Sequence, residues 1–220
     1  VSELVHRQRQ DLCDMLTGLS PEQWAAETLC TGWDAGDVAA HLVVREREPW
    51  AGPGILLGGP FAALTQRRYT AWKARGKKRL VEALRAGPPW PLSGPFGDMQ
   101  AVEDWIHEQD IRRGGAGLTT PDPDPQLGEA LWVAVKRTAA RTLAIGTEAV
   151  IELSDGIHRH RVQARAGARL ARPTTAAADV RITGSIAELL LYVAGRAGAD
   201  ATVTGDDAAR SALAAHTRSL

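Results

Sequence analysis

Asparagine is missing from this 220-residue chain, and cysteine occurs only at positions 13 and 30. Two cysteines are too few for a disulfide scaffold or a four-thiolate zinc site, so both read as thiols of a reducing compartment. No apolar run approaches the roughly 20 residues that a helical bilayer span requires. The N-terminal VSELVHRQRQDLCDML is charged and helix-patterned where a secretory signal needs an unbroken apolar stretch. These absences predict a cytoplasmic protein without membrane association. Excess charge is also missing, since 26 basic side chains face 26 acidic ones. Bulk electrostatics therefore offers nothing to a phosphate backbone, and nucleic acid is not an expected partner. Lysine is scarce while alanine, arginine and glycine abound, a bias of GC-rich coding that carries no chemistry.

What is present changes character midway. Leu4, Val5, Leu12, Met15, Leu16 and Leu19 recur at helical spacing over residues 3 to 19, with Ser2 available as a cap. In SPEQW, Ser20, Pro21 and Gln23 occupy the cap, first and third positions of a short helix. A second long helix opens at Asp34, with Asp37 in the box position, and closes at Pro49. A third helical stretch spans about 61 to 85, weakened by Gly76, and the proline- and glycine-rich 86 to 98 predicts a long loop. A fourth helix, MQAVEDWIHEQDIRR, ends at Gly114 and Gly115. Four such helices predict a bundle. The alternating prolines of GGAGLTTPDPDPQ, 114 to 126, mark the boundary between a helical domain over 1–118 and a second domain over 126–220. Beyond it, a helix over 129 to 143 precedes strand-like AVIELSD, IHRHRVQA and ADVRITG, an apolar helix IAELLLYVAG, a last strand ATVTG and a C-terminal helix. The fold class predicted is α+β.

Glu103 and His107 are four residues apart, so both side chains leave one helical face a turn apart. They border the apolar stripe of Val102, Trp105 and Ile106, while His41 lies in angle between Val38 and Leu42 on the second long helix. Two imidazoles and one carboxylate would give zinc, or another divalent ion, three ligands and leave a position for substrate, as catalytic sites do. A surface ion pair beside a core histidine produces the same spacing, and spacing alone leaves both readings open. Other signals are weaker. His107 and Glu108 begin an HExxH, but Ile111 stands where the second histidine belongs. GPGILLGG at 52 to 59 follows no strand and is no dinucleotide fingerprint. His158 and His160 read as one face of an arginine-rich strand. Cys30 reads as a small buried residue before a reactive thiol, and Arg196 as a cap on an apolar helix.

TGWDAGDVAAHL, taken with the Glu103-to-His107 pair, resembles the N-terminal domain of the mycothiol-dependent maleylpyruvate isomerases, within the DinB-like group of metal-binding helical bundles. HLVVREREPW and WIHEQDIRR look closer to an actinobacterial branch of metal-binding proteins, which shows His then Glu where this chain has Glu108 and Gln109. The C-terminal ADVRITGSIAELLLYVAGRAGADATVTGDD resembles the family's sterol-carrier-like second domain. The resemblance implies a divalent metal on His41, Glu103 and His107, and a role for Arg196 at that site. It further implies mycothiol as the thiol cofactor and a small electrophilic substrate, in an isomerase or transferase reaction. Two alternatives stand beside it: a hydrolase that activates water with Glu108 or Asp110 as base, and a non-catalytic module binding a metal or small ligand.

Overall fold

The computed structural model describes residues 2–48, 62–89 and 98–216. Predictions falling on 49–61 and 90–97, including the GPGILLGG segment, the stop at Pro49 and most of the 86–98 loop, lie outside the described residues. The chain divides into two compact units, Val1–Pro121 and Asp122–Leu220. Among the described residues, no helix is long and apolar enough to cross a membrane.

The first unit is helical: α1 (Glu3–Gly18), α2 (Pro21–Ala25), α3 (Ala35–Arg47), α4 (Ala62–Lys73), α5 (Gly76–Ala86) and α6 (Met99–Arg112). Three of its helix starts are written in the sequence. The Ser2 side chain accepts from the Val5 amide, and reciprocal capping boxes join Ser20 to Gln23 and Asp34 to Asp37. The stretch from 61 to 85 folds as two helices, not one, because the chain turns at Ala74–Arg75 and Gly76 takes φ of +80°. That left-handed conformation has no steric cost only for glycine. Helix α1 packs on α5 and α6, and α3 packs on α4, α5 and α6. Leu12, Leu16, Val38, Leu42, Leu80, Leu84 and Ile111 form the fully buried core between them.

The second unit is a sheet with helices: α7 (Pro125–Thr142), β1 (Ala149–Ser154), β2 (Arg159–Ala164), β3 (Arg172–Pro173), β4 (Val180–Thr183), α8 (Ile186–Val193), β5 (Thr202–Gly205) and α9 (Asp207–Ala215). Strand order is β3-β2-β1-β4-β5, with β1 and β4 parallel and every other pair antiparallel. Ile151, Leu153, Val162, Val180 and Ile182 point to the buried side. Glu152 takes the opposite side, where Arg161 and Arg181 donate to its two oxygens. Helix α7 starts four residues earlier than the apolar pattern predicts, since Asp124 caps it and Pro125 takes its first position. This arrangement, a helical bundle followed by a small α+β unit, is the α+β fold expected from the sequence.

Candidate metal centre in the helical unit

Helix α6 is unusual for its burial. Eleven of its fourteen residues are buried, among them Gln100, Asp104, His107, Glu108, Gln109 and Asp110. A helix enclosed on nearly all sides must satisfy its polar side chains internally or face a large desolvation cost. The partners sort these residues by direction. Gln100 donates to Asp104, and Glu108 accepts from Gln8 of α1 at 2.6 Å and from Arg112 at 2.6 Å. Burial, and then the nearby Glu46 carboxylate, push the Asp104 carboxyl up to about 7. Burial also raises Glu108.

Glu103 and His107 leave α6 together toward α3, as their spacing predicts. The Glu103 Oε2 and His107 Nε2 atoms are 4.0 Å apart, while Arg45 of α3 approaches Glu103 Oε1 at 3.5 Å. His41 comes to the same place from α3, its ring centroid 4.9 Å from that of His107 and inclined by 66°. His107 thus lies beside both of the other predicted ligands, Glu103 on its own helix and His41 on α3, although the ligand atoms of the three do not all come within 4.8 Å of one another.

Both rings are held through Nδ1. His41 Nδ1 lies 2.9 Å from the Tyr69 hydroxyl. Burial pushes that phenol up to about 12, so it stays a neutral hydroxyl. Trp33 completes an aromatic wall, 5.4 Å from His41 and 5.8 Å from Tyr69 between centroids. His107 Nδ1 lies 3.0 Å from Asp110 Oδ2, and an ionised carboxylate can only accept, so the ring donates from Nδ1. Nε2 is then the nitrogen each ring can offer to a cation, with an oxygen partner behind it, the usual arrangement of metal-binding histidines.

Sequence reasoning passed over a second group at this point. Cys30 lies in the loop between α2 and α3, and its thiol donates to the same Asp110 Oδ2 at 3.1 Å. Cys30 Sγ, a His107 ring nitrogen and an Asp110 carboxylate oxygen all lie within 4.8 Å of one another. The loop is fixed on α6 by main-chain bonds, Leu29 N–H to Asp110 C=O at 2.9 Å and Gly115 N–H to Glu27 C=O at 2.7 Å. Gly32, at φ +77°, closes the turn in which the Trp33 amide donates to the Cys30 carbonyl. The only hint in the sequence was Asp110, three residues after His107 and hence on its face of the helix.

The remaining predicted residues belong to the second unit. Arg196 follows α8 in the second unit and donates to the Ala194 carbonyl at 3.0 Å, which is a capping contact. His158 precedes β2 and does not share a strand face with His160. Its Nδ1 lies 2.9 Å from Asp155 and its Nε2 3.4 Å from Glu129.

Comparison with known proteins bears on the first unit directly. A family model described as the mycothiol maleylpyruvate isomerase N-terminal domain matches residues 5–52, the stretch that carries Cys30 and His41. No curated protein matches the chain. Among solved structures, the chain is similar to a mycothiol-dependent maleylpyruvate isomerase, at 20% identity over 91% of this chain and 90% of that one, with a TM-score of 0.55. A histidine-to-alanine mutant of that isomerase gives 19% identity over the same shares, with a TM-score of 0.54. Residues 5–52 thus match the mycothiol maleylpyruvate isomerase N-terminal domain model, and about nine-tenths of the chain shares the fold of that isomerase.

Proposed function

We propose that this chain is a metal-requiring, mycothiol-dependent isomerase or S-transferase acting on a small electrophile, with His41, Glu103 and His107 as the metal ligands. The observation that carries the reading is the convergence of His41 and His107 with Glu103, while both Nδ1 atoms are engaged by oxygen partners. The donor set fits a divalent ion. A separation of 4.0 Å between Glu103 Oε2 and His107 Nε2 is too long for a hydrogen bond. Ligand atoms each about 2.0–2.2 Å from one zinc ion lie roughly 3–3.5 Å apart, so Glu103 and His107 need to close by about half an ångström or more and His41 has to draw in toward them. When bound, such an ion supplies Lewis acidity, which ionises a thiol near neutral pH more readily than it ionises water.

The protein's own groups would do the rest. Arg45 holds Glu103 by Oε1 and leaves Oε2 turned toward His107. Tyr69 and Asp110 fix the orientation of the two imidazoles, and Trp33 and Tyr69 place apolar surface beside His41. The family match over residues 5–52 and the fold shared with an enzyme named for its mycothiol dependence support mycothiol as the thiol. Arg196 is retained as a residue of turnover, on the family resemblance alone. The hydrolase alternative draws no support from the placement of its bases. Both Glu108 oxygens are bonded to Gln8 and Arg112, and Asp110 accepts from His107 and Cys30. The test is turnover of maleylpyruvate and related electrophiles with and without mycothiol, on protein of measured metal content. Turnover that needs both metal and mycothiol is expected, and metal-dependent hydrolysis indifferent to the thiol would replace the reading.

A further inference from the structure

We infer that the bundle carries a second cation position, specific for thiophilic ions, formed by Cys30 Sγ, Asp110 Oδ2 and His107 Nδ1. It uses the opposite ring nitrogen of His107 from the one turned toward Glu103, and it does not depend on the function proposed above.

The geometry comes first. Asp110 Oδ2 is 3.1 Å from the Cys30 sulfur and 3.0 Å from His107 Nδ1, and the three ligand atoms fall within 4.8 Å of one another. Sulfur, nitrogen and oxygen at about 2.3, 2.05 and 2.1 Å from one tetrahedral ion are separated by roughly 3.3–3.6 Å. Loading the site therefore asks the carboxylate oxygen to withdraw by a few tenths of an ångström and the sulfur to close toward the ring. The framework that brings the residues together is already built. Main-chain bonds from Leu29 to Asp110 and from Gly115 to Glu27 fix the Cys30 loop against the end of α6. Asp110 and His107 are both buried on that helix.

The chemistry comes second. A thiolate with an imidazole and a carboxylate is a soft to borderline set that favours zinc or cadmium over magnesium or calcium. Proton bookkeeping makes the two positions compete. The thiol proton leaves to solvent as sulfur takes the ion, and the imidazole proton moves from Nδ1 to Nε2 as Nδ1 takes it. His107 Nε2 then carries hydrogen and is no longer a ligand toward Glu103 and His41. Cys13 supplies no competing site. It is fully buried, and burial pushes its thiol up to about 11.

The probe is Cd2+ added to the full chain in a buffer free of added thiols, read by the sulfur-to-cadmium charge-transfer absorption in the ultraviolet. The wild-type protein and Cys13→Ala are expected to develop a band of the intensity of one thiolate, saturating at one equivalent. Cys30→Ser and Cys30→Ala should show none, with their helical circular dichroism retained, and Asp110→Asn should weaken cadmium binding at least tenfold. Because the two positions share His107, the titration is repeated in His41→Ala, which disables the other position and leaves Cys30, Asp110 and His107 in place, and the same band is expected there. Absence of the band in both the wild type and His41→Ala, or its persistence in both Cys30 variants, overturns the inference.

Discussion

Gly114 is where the loop that carries Cys30 meets the end of α6, and replacing it with alanine should loosen both. A Cβ there would stand 2.5 Å from the Glu27 carbonyl oxygen, 2.7 Å from the Thr28 Cα and 3.0 Å from the Asp110 carbonyl oxygen. All three are main-chain atoms, so no side chain can turn aside to make room. Overpacking of this kind costs about 1–3 kcal/mol. Relief by moving residues 27 to 29 stretches the bonds from Gly115 to Glu27 and from Leu29 to Asp110, each contributing about 0.5–1.5 kcal/mol. The sum is a loss of roughly 2–6 kcal/mol, which a urea slope of about 2 kcal/mol/M turns into a midpoint lower by about 1–3 M. Tryptophan fluorescence is the assay, because six of the seven tryptophans precede residue 121 and report on the helical unit. Gly18→Ala is the control. It ends α1 with nothing within 4 Å of the added carbon, so it should be neutral or stabilise by up to about 1 kcal/mol. A Gly114→Ala midpoint within error of wild type would refute the close packing of loop on helix.

Further outcomes follow from other parts of the molecule. Elemental analysis of His107→Ala protein, or of His41→Ala combined with Cys30→Ser, should show loss of the single equivalent of divalent metal expected in the wild type, with helical circular dichroism largely kept. Arg196→Ala should lower turnover without changing metal content, and an unchanged kcat would remove Arg196 from the account. In the second unit, the hydrogen bond that the His158 ring donates to Asp155 raises His158. Burial opposes ionisation of Asp155, but hydrogen bonds from the ring and main chain of His158 and from the Ile157 amide outweigh it and lower that carboxyl. The His158 contribution is full below its ordinary value near 6.5 and is lost as pH rises through the raised value; that of Asp155 is full above about 3.9 and is lost as pH falls through the lowered one. Both are present between about pH 4 and 6.5, and His158→Ala should flatten the pH profile of this unit's stability. Trp132, 5.1 Å from His158, should brighten as the ring loses its charge in the wild type alone. Limited proteolysis that separates the units should cut at 119 to 124, because Gly115 and Leu118 are tied by main-chain bonds whereas 119 to 122 and 124 are exposed.

Local rules made much of this legible. Ser20 with Gln23 and Asp34 with Asp37 announced helix starts because a capping box is a contact across three residues. Glu103 and His107 could be placed on one face because a helix repeats every 3.6 residues. The rest depended on contacts that spacing cannot express. The Cys30 thiol meets Asp110 across 80 residues, and the Leu29 amide that sets its loop meets the Asp110 carbonyl. Periodicity marks polar residues as surface, yet Asp104, Glu108 and Asp110 are buried because α6 is enclosed by its neighbours. His158 stands outside the strand that the sequence pattern suggests, because the Asp155 side chain accepts from the His158 amide and organises a turn there.

The central claim is that His41, Glu103 and His107 hold an ion to which a thiol cofactor is presented. Its most direct test is cobalt substitution in a Cys30→Ser background, where the protein's own thiol at this point is absent, followed by addition of mycothiol. A sulfur-to-cobalt charge-transfer band should appear in the near ultraviolet on addition and fail to appear when His107→Ala is combined with Cys30→Ser. Cobalt that binds in the Cys30→Ser protein without any such band on saturation with mycothiol would contradict the account.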